Sequence, residues 1–308
     1  MGKNFKLLMT FLLCLLGMAA KAQTVEISTV DQLKAFRDAV NNGTTYAGQT
    51  VKLTADLDLS SEANWVPIGN LVAYPGQSFN GTFDGNGNKI SNITCNANTP
   101  NHAVAGLFGS VVNGTIKDLT VENVNISSTH YAAGIVAYTS NGPTIENCKV
   151  IGGTISSTPE LLNGSYDNGD KVGGIMGYAT AGSTINNCWV ENVTITAYRD
   201  LGGIVGYSAG TVTNNTAKNV TVTQDLTNGY KDPTPTTVGD IIGRNEGATL
   251  SNNVVIKPNY VAQVGNVKFE TLQTAFDAAQ AGETVTLLTN VDATGAMYSG
   301  DNRFNLWI

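Results

Sequence analysis

One short glycine-rich strand is written five times in this chain: VAGLFGS (104–110), AAGIVAY (132–138), VGGIMGY (172–178), LGGIVGY (201–207) and VGDIIGR (238–244). A small turn follows each copy, and then a second block: TIKDLTVENVNI (115–126), TIENCKVIGGTI (144–155), TINNCWVENVTI (184–195), TVTNNTAKNVTV (211–222) and TLSNNVVIKPNY (249–260). The central residue of the first strand is Gly106, Gly134, Gly174 and Gly203, with Asp240 in the last copy. The core unit is about 28–29 residues, and insertions near 156–171 and 226–237 account for the longer spacings. One such unit cannot bury its own apolar face, whereas stacked copies can. The apolar alternation predicts three short strands per coil, separated by Gly/Asn/Thr turns. The expected fold is therefore all-β: a parallel β-helix, a solenoid whose coils repeat about every 4.8 Å.

The stack requires ends. Residues 23–63 read as an N-terminal strand-helix-strand cap, with Thr29 and Gln32 at capping-box spacing and Leu33, Phe36 and Val40 on one helical face. Residues 64–263 read as the β-helix. The cap pattern is restated as LQTAFDAAQAG (272–282) and GETVTLLTNVD (282–292), so 264–308 reads as the start of a second cap and β-helix, expected to be truncated. Residues 1–22 carry Lys3 and Lys6, an apolar run and a small-x-small end at Ala20–Ala22, the pattern of a cleaved export signal. The expected location is secreted or on the outer cell surface, with no transmembrane segment in the mature chain.

Only 13% of residues are charged, against roughly 25% in an average soluble domain. Removing 1–22 takes three lysines and no acid from a net charge of −7, leaving −10. That sign excludes nucleic acid and anionic lipid as expected partners. Cys95, Cys148 and Cys188 remain, an odd number without short metal-site spacing. Cys148 and Cys188 align between coils and read as a buried thiol stack, with an inter-coil disulfide as the alternative. Asn92, Asp118, Asn147, Asn187, Asn214 and Asn252 align as one residue per coil. They read as a structural ladder at a corner, because Asn tolerates left-handed backbone and its amide can bond the next coil.

The motifs WVPIG (65–69) and FNGTFDGNGNKISNIT (79–94), followed by the repeated GLFG/GGIVGY and TINNC segments, resemble the GLUG-motif proteins over roughly 25–260. These are secreted or surface proteins, frequent in Bacteroidetes and Firmicutes and also found beside an immunoglobulin-cleaving metallopeptidase module. The resemblance implies a right-handed parallel β-helix of the pectin-lyase-like type and a non-catalytic module. The H-E-x-x-H signature of that metallopeptidase is absent from the sequence.

Polysaccharide lyases and hydrolases on β-helices need clustered acids on adjacent coils. Neither the column through Glu122 and Glu191 nor the column through Lys117 and Glu146 places two carboxylates on neighbouring coils. Arg199 and Asp200, with Lys171 one coil earlier, form the best acid/base cluster, and they read as a solvated turn. His102 and His130 fall on turns without a nucleophile. DGNGN (84–88) reads as a tight turn, since it lacks the downstream bidentate Glu of a calcium loop. No catalytic residue, metal ligand or cofactor is expected. Tyr138, Tyr178 and Tyr207 follow the glycine strand in three successive coils, between Ser110 and Arg244. They predict an aromatic strip, extended by Trp189, that either shields a corner or binds a polysaccharide or host glycoprotein. The expected function is a non-catalytic adhesin or binding scaffold. The alternatives are a polysaccharide-degrading enzyme and a spacer fragment of a larger surface protein.

Overall fold

The computed structural model describes residues 24–69, 77–97, 103–158, 160–162, 165–167, 170–226, 237–280 and 282–288. The export signal assigned to 1–22, His102, most of the 226–237 insertion and everything after 288 lie outside the described residues. The chain forms two compact units, one ending at Val255 and one starting at Ile256. The second therefore begins a few residues before the boundary expected at 264.

The first unit is a parallel β-helix. Its longest-running sheet holds eight parallel strands, from Thr24–Ile27 and Thr50–Leu53 through Thr82–Asp84, Thr115–Lys117, Thr144–Glu146, Thr184–Asn186 and Thr211–Thr213 to Thr249–Ser251. Each strand opens with a threonine, and those threonines pair in register. The middle residues, among them Phe83, Ile116, Ile145, Ile185 and Val212, point inward and are fully buried. The third residues form an outer column of Glu26, Lys52, Asp84, Lys117 and Glu146. A second sheet of nine strands carries the long strands Thr120–Ser128, Lys149–Ser157 and Trp189–Ala197.

The coil has four strands rather than the expected three. The glycine-rich segment is broken by a bend, so that Tyr131–Ala133 and Val136–Ser140 belong to two separate five-stranded parallel sheets. The next coils repeat this with Asp170–Gly173 and Met176–Ala179, then with Arg199–Gly202 and Val205–Ser208. Glycine is required at the bend because the coils touch there through backbone. A Cβ on Gly134 would lie 2.6 Å from the carbonyl oxygen of Gly174.

The corner ladder exists, with one change of membership. Asp118, Asn147, Asn187, Asn214 and Asn252 all have left-handed φ between 52 and 59°. Asn147 donates to Asp118 (3.0 Å), Asn187 to Asn147 (2.8 Å) and Asn252 to Asn214 (3.2 Å), while Asn214 reaches instead to Asn186 (2.8 Å). Asn92 belongs to a different column. Ser91 pairs with Glu122, whereas Asp84 pairs with Lys117, so Asn92 stands beside Asn123 and Gly85 stands beside Asp118. The cause is the 84–88 turn, which inserts extra residues at the corner. This second column runs through Asn123, Gly152, Asn192 and Asn219, all at positive φ. Its amides also bond between coils, Asn123 to Asn92 at 3.2 Å and Asn219 to Asn192 at 3.3 Å.

Cys148 and Cys188 occupy the buried side of the first corner as free thiols, as does Cys95 elsewhere in the core. Burial raises the pKa of Cys148 well above that of an ordinary thiol and pushes Cys95 up to about 11. One coil on, the same position is Asn215, which is fully buried. It accepts from the Cys188 amide (2.9 Å) and donates to the Ile185 carbonyl (3.1 Å), so its polar groups are satisfied.

The N-terminal cap folds as its sequence dictates. Thr29 caps the helix Val30–Asn41 by accepting from the Gln32 amide (3.2 Å), and the Gln32 side chain accepts from the Ser28 amide (2.8 Å). Leu33, Phe36 and Val40 cover the first coils. The second unit has its own small core of Ala262, Val264, Leu272, Ala275 and Val285. Its helix Leu272–Ala278 is again capped by a threonine, Thr271. Its strands Ala262–Val264, Val267–Phe269 and Val285–Leu287 pair antiparallel, unlike the parallel pair of the first cap.

Candidate functional site

The aromatic column is real and larger than the sequence indicates. Tyr138, Tyr178 and Tyr207 pair in register, with Ser110 before and Arg244 after. Their rings lie face to face: 5.5 Å and 2° between Tyr138 and Tyr178, 4.6 Å and 23° between Tyr178 and Tyr207. Tyr131, which the strand alignment does not bring into this column, joins from the neighbouring sheet at 5.8 Å from Tyr138 and 5.6 Å from Tyr178. The bend at Gly134 folds its strand back toward Tyr138.

This geometry changes what the strip presents. The ring faces cover one another, and each tyrosine is half-buried. The outward surface is therefore a row of ring edges and hydroxyls, not a pavement of open faces. Burial is also the main cause of the raised Tyr207 pKa. Trp189 is not part of the strip. It sits on the nine-stranded sheet, beside Lys149 and Thr216, with its indole N–H donating to Glu191 (2.9 Å).

Two cations flank the rings. Lys171 Nζ lies 5.3 Å from the Tyr131 centroid and 5.8 Å from that of Tyr178, and the Arg244 guanidinium lies 5.7 Å from Tyr207. Lys171 has φ of 61°, uncommon for a long side chain. It is tied to Asp170, a residue that the sequence reading overlooks and that is only 1% exposed. The same Asp170 Oδ2 accepts from Arg199 Nε (3.0 Å) and Nη2 (2.9 Å). Asp170 pairs with Arg199, which sets Lys171 beside Asp200. The cluster of Lys171, Arg199 and Asp200 is therefore not a solvated turn. It is a charged corner beside the tyrosines, with two buried carboxylates on neighbouring coils and two half-buried cations.

Asp200 is also 1% exposed. Its Oδ1 accepts from the Thr237 hydroxyl (2.7 Å), and among the described residues its buried Oδ2 has no partner. Burial raises its pKa, opposed by the Thr237 hydrogen bond and the Lys171 charge. A carboxyl raised in the folded state favours folding below its unfolded pKa. That contribution is lost as pH rises through the folded pKa. Asp200 also has φ of 55°, which Asn tolerates. The Asp200→Asn variant is accordingly expected to melt above the wild type at pH 7, with the gap closing near pH 4. Calorimetric scans at the two pH values check this, and an equal or lower Tm at pH 7 contradicts it.

The remaining sequence candidates are structural. In the 84–88 segment, Asn86 N donates to Asp84 Oδ1 (2.8 Å), and the Asn86 and Asn88 amides bond the Leu53 carbonyl at 3.3 and 3.1 Å. That is a turn fastened to the preceding coil. Among the described residues, no group of three His, Cys, Asp or Glu side chains is placed to hold a metal ion. His130 is buried, and its carbonyl accepts from Ser157 Oγ (2.9 Å). No helix of the described residues is long and apolar enough to cross a membrane.

Comparison with known proteins yields a partial likeness. Halomucin of Haloquadratum walsbyi is 36% identical over 132 residues, which cover 40% of this chain and 1% of halomucin. The chain thus spans about a hundredth of that relative's length. A crystal structure of a candidate immunoglobulin A1 protease from Bacteroides ovatus aligns over 77% of this chain and 76% of its own, with a TM-score of 0.47 and 15% identity. No family model matches the chain. The parallel solenoid agrees with a β-rich protein of stacked coils.

Proposed function

We propose that this protein is a non-catalytic adhesin or binding scaffold, exported by a cleaved signal peptide, whose ligand is a glycan or a host glycoprotein. The observation that carries the reading is the four-tyrosine stack with Lys171 and Arg244 at its sides. Stacking and half-burial fix the rings, so a ligand meets a pre-ordered row of phenolic hydroxyls at about the coil spacing of 4.8 Å. Sugar hydroxyls both donate and accept, as phenols do. The resemblance to GLUG-motif proteins supports the same reading. An enzymatic reading draws no support from the paired acids. Asp170 is held by Arg199 and Lys171, and both carboxylates face the interior.

Affinity electrophoresis through gels cast with polysaccharides or mucin tests the strip. The triple Tyr138/Tyr178/Tyr207→Phe variant keeps the stack and removes the hydroxyls, and the corresponding Ala variant removes both. The wild type is expected to be retarded in at least one gel and the Phe variant to run free in it. Retardation that survives both variants in every gel that retards the wild type removes the strip from the binding surface.

A further inference from the structure

The amide side chains on the coils are not all used alike. Those of the corner ladders spend their amides on one another. A second set does not. Gln49, Thr50, Asn80, Thr82, Asn113 and Thr115 line a groove of about 490 Å³, together with Ala47, Gly48 and Gly81. None of those six side chains has a hydrogen-bond partner among the described residues. Thr50, Thr82 and Thr115 pair in register on three successive strands of the eight-stranded sheet. The turns before those strands supply the amides. They are fixed from behind by backbone bonds, Asn80 N to Thr45 O (2.8 Å), Thr82 N to Gln49 O (2.9 Å) and Thr115 N to Gly81 O (2.9 Å). The groove therefore crosses coils, with one hydroxyl and one carboxamide per coil.

We infer that this groove is a second binding site, which takes a neutral polysaccharide chain laid along the stack axis. Three features select that class. Every lining side chain that can bond is a carboxamide or a hydroxyl, and together these match the mixed donor and acceptor character of sugar hydroxyls. The lining carries no charge. Of the outer charges two residues along these strands, Lys117 is engaged with Asp84 (3.4 Å) and Asp118 (3.2 Å), and Lys52 lies outside the groove lining. An acidic chain would find no cation in the groove and would approach a protein of net charge −7. The groove has neither the apolar pocket nor the sheet edge by which peptides are held. The site is separate from the tyrosines, which stand on a different sheet.

The test uses the full-length chain in gels cast with dextran, yeast mannan or barley β-glucan, with polygalacturonate as the acidic control. One variant combines Gln49→Ala, Asn80→Ala and Asn113→Gly, the last because Asn113 has φ of 55°. A second combines Thr82→Val and Thr115→Val, which keep the branched shape of the strand residues and remove only the hydroxyls. The expected result is retardation in a neutral gel and not in polygalacturonate. Three lost amide hydrogen bonds should weaken it by about tenfold or more. The Thr→Val variant should weaken it too, and the tyrosine variants should leave it unchanged. Retardation in no neutral gel overturns the inference, as does retardation that only the tyrosine variants reduce. The second result would leave the strip standing alone.

Discussion

Gly174→Ala is expected to lower the free energy of unfolding by about 3 kcal/mol. The added methyl would stand 2.4 Å from the carbonyl oxygen of Gly203 and 2.6 and 2.8 Å from the two γ-carbons of Val190. The nearest obstacle is backbone of the next coil, so no side chain can rotate away from it. The coils would have to separate locally, against the inter-coil hydrogen bonds Gly134 N to Gly174 O (2.9 Å) and Ile175 N to Ile204 O (2.9 Å). Urea unfolding followed by circular dichroism reads the change. A midpoint equal to that of the wild type would show that the bend is looser than its contacts imply.

A loss of about 4 kcal/mol is expected for Phe83→Ala. Phe83 is fully buried. Its ring stacks on Phe36 of the cap helix (5.8 Å) and meets Phe108 edge-on (5.2 Å). Phe79 closes the group, 5.5 Å from both Phe36 and Phe108. The ring thus joins the helix to the coil beneath it. Hydrogen exchange in Val30–Asn41 should rise well before exchange in the coils around Ile185. Uniform acceleration along the chain would mean that cap and stack unfold as one unit.

The stacking of coils and the glycine strand were legible because each copy repeats the same few residues. Register at the corners was less so. The DGNGN turn adds residues that no alignment of apolar positions detects, which is why Asn92 stands in a different column from the one its spacing suggests. The second asparagine column had a signal, the recurring VENV, VENV and AKNV at 121–124, 190–193 and 217–220. The bend at Gly134, Gly174 and Gly203 was hidden, because alternation alone does not distinguish one strand from two strands at an angle. That bend is what adds Tyr131 to the aromatic stack. Asp170 was missed although the chain marks it. DKVGGI (170–175) and RDLGGI (199–204) exchange the order of their charges, so that unlike charges meet when the coils stack.

The column Glu26, Lys52, Asp84, Lys117, Glu146 has a further consequence for how the molecule assembles. Near-identical coils invite mispairing, since a strand such as TIK can dock on the wrong TI-x neighbour with its threonine and isoleucine still matched. The alternating signs act as a parity check on that choice. Skipping one coil would set Asp84 against Glu146, or Lys52 against Lys117, and like charges directly opposite are destabilising. Past Glu146 the column becomes Asn186, Thr213 and Ser251, and the check lapses. There the coils differ in length instead, beginning with the hairpin of Glu160–Leu162 and Ser165–Asp167. Charge order proofreads the first half of the stack, and loop length proofreads the second.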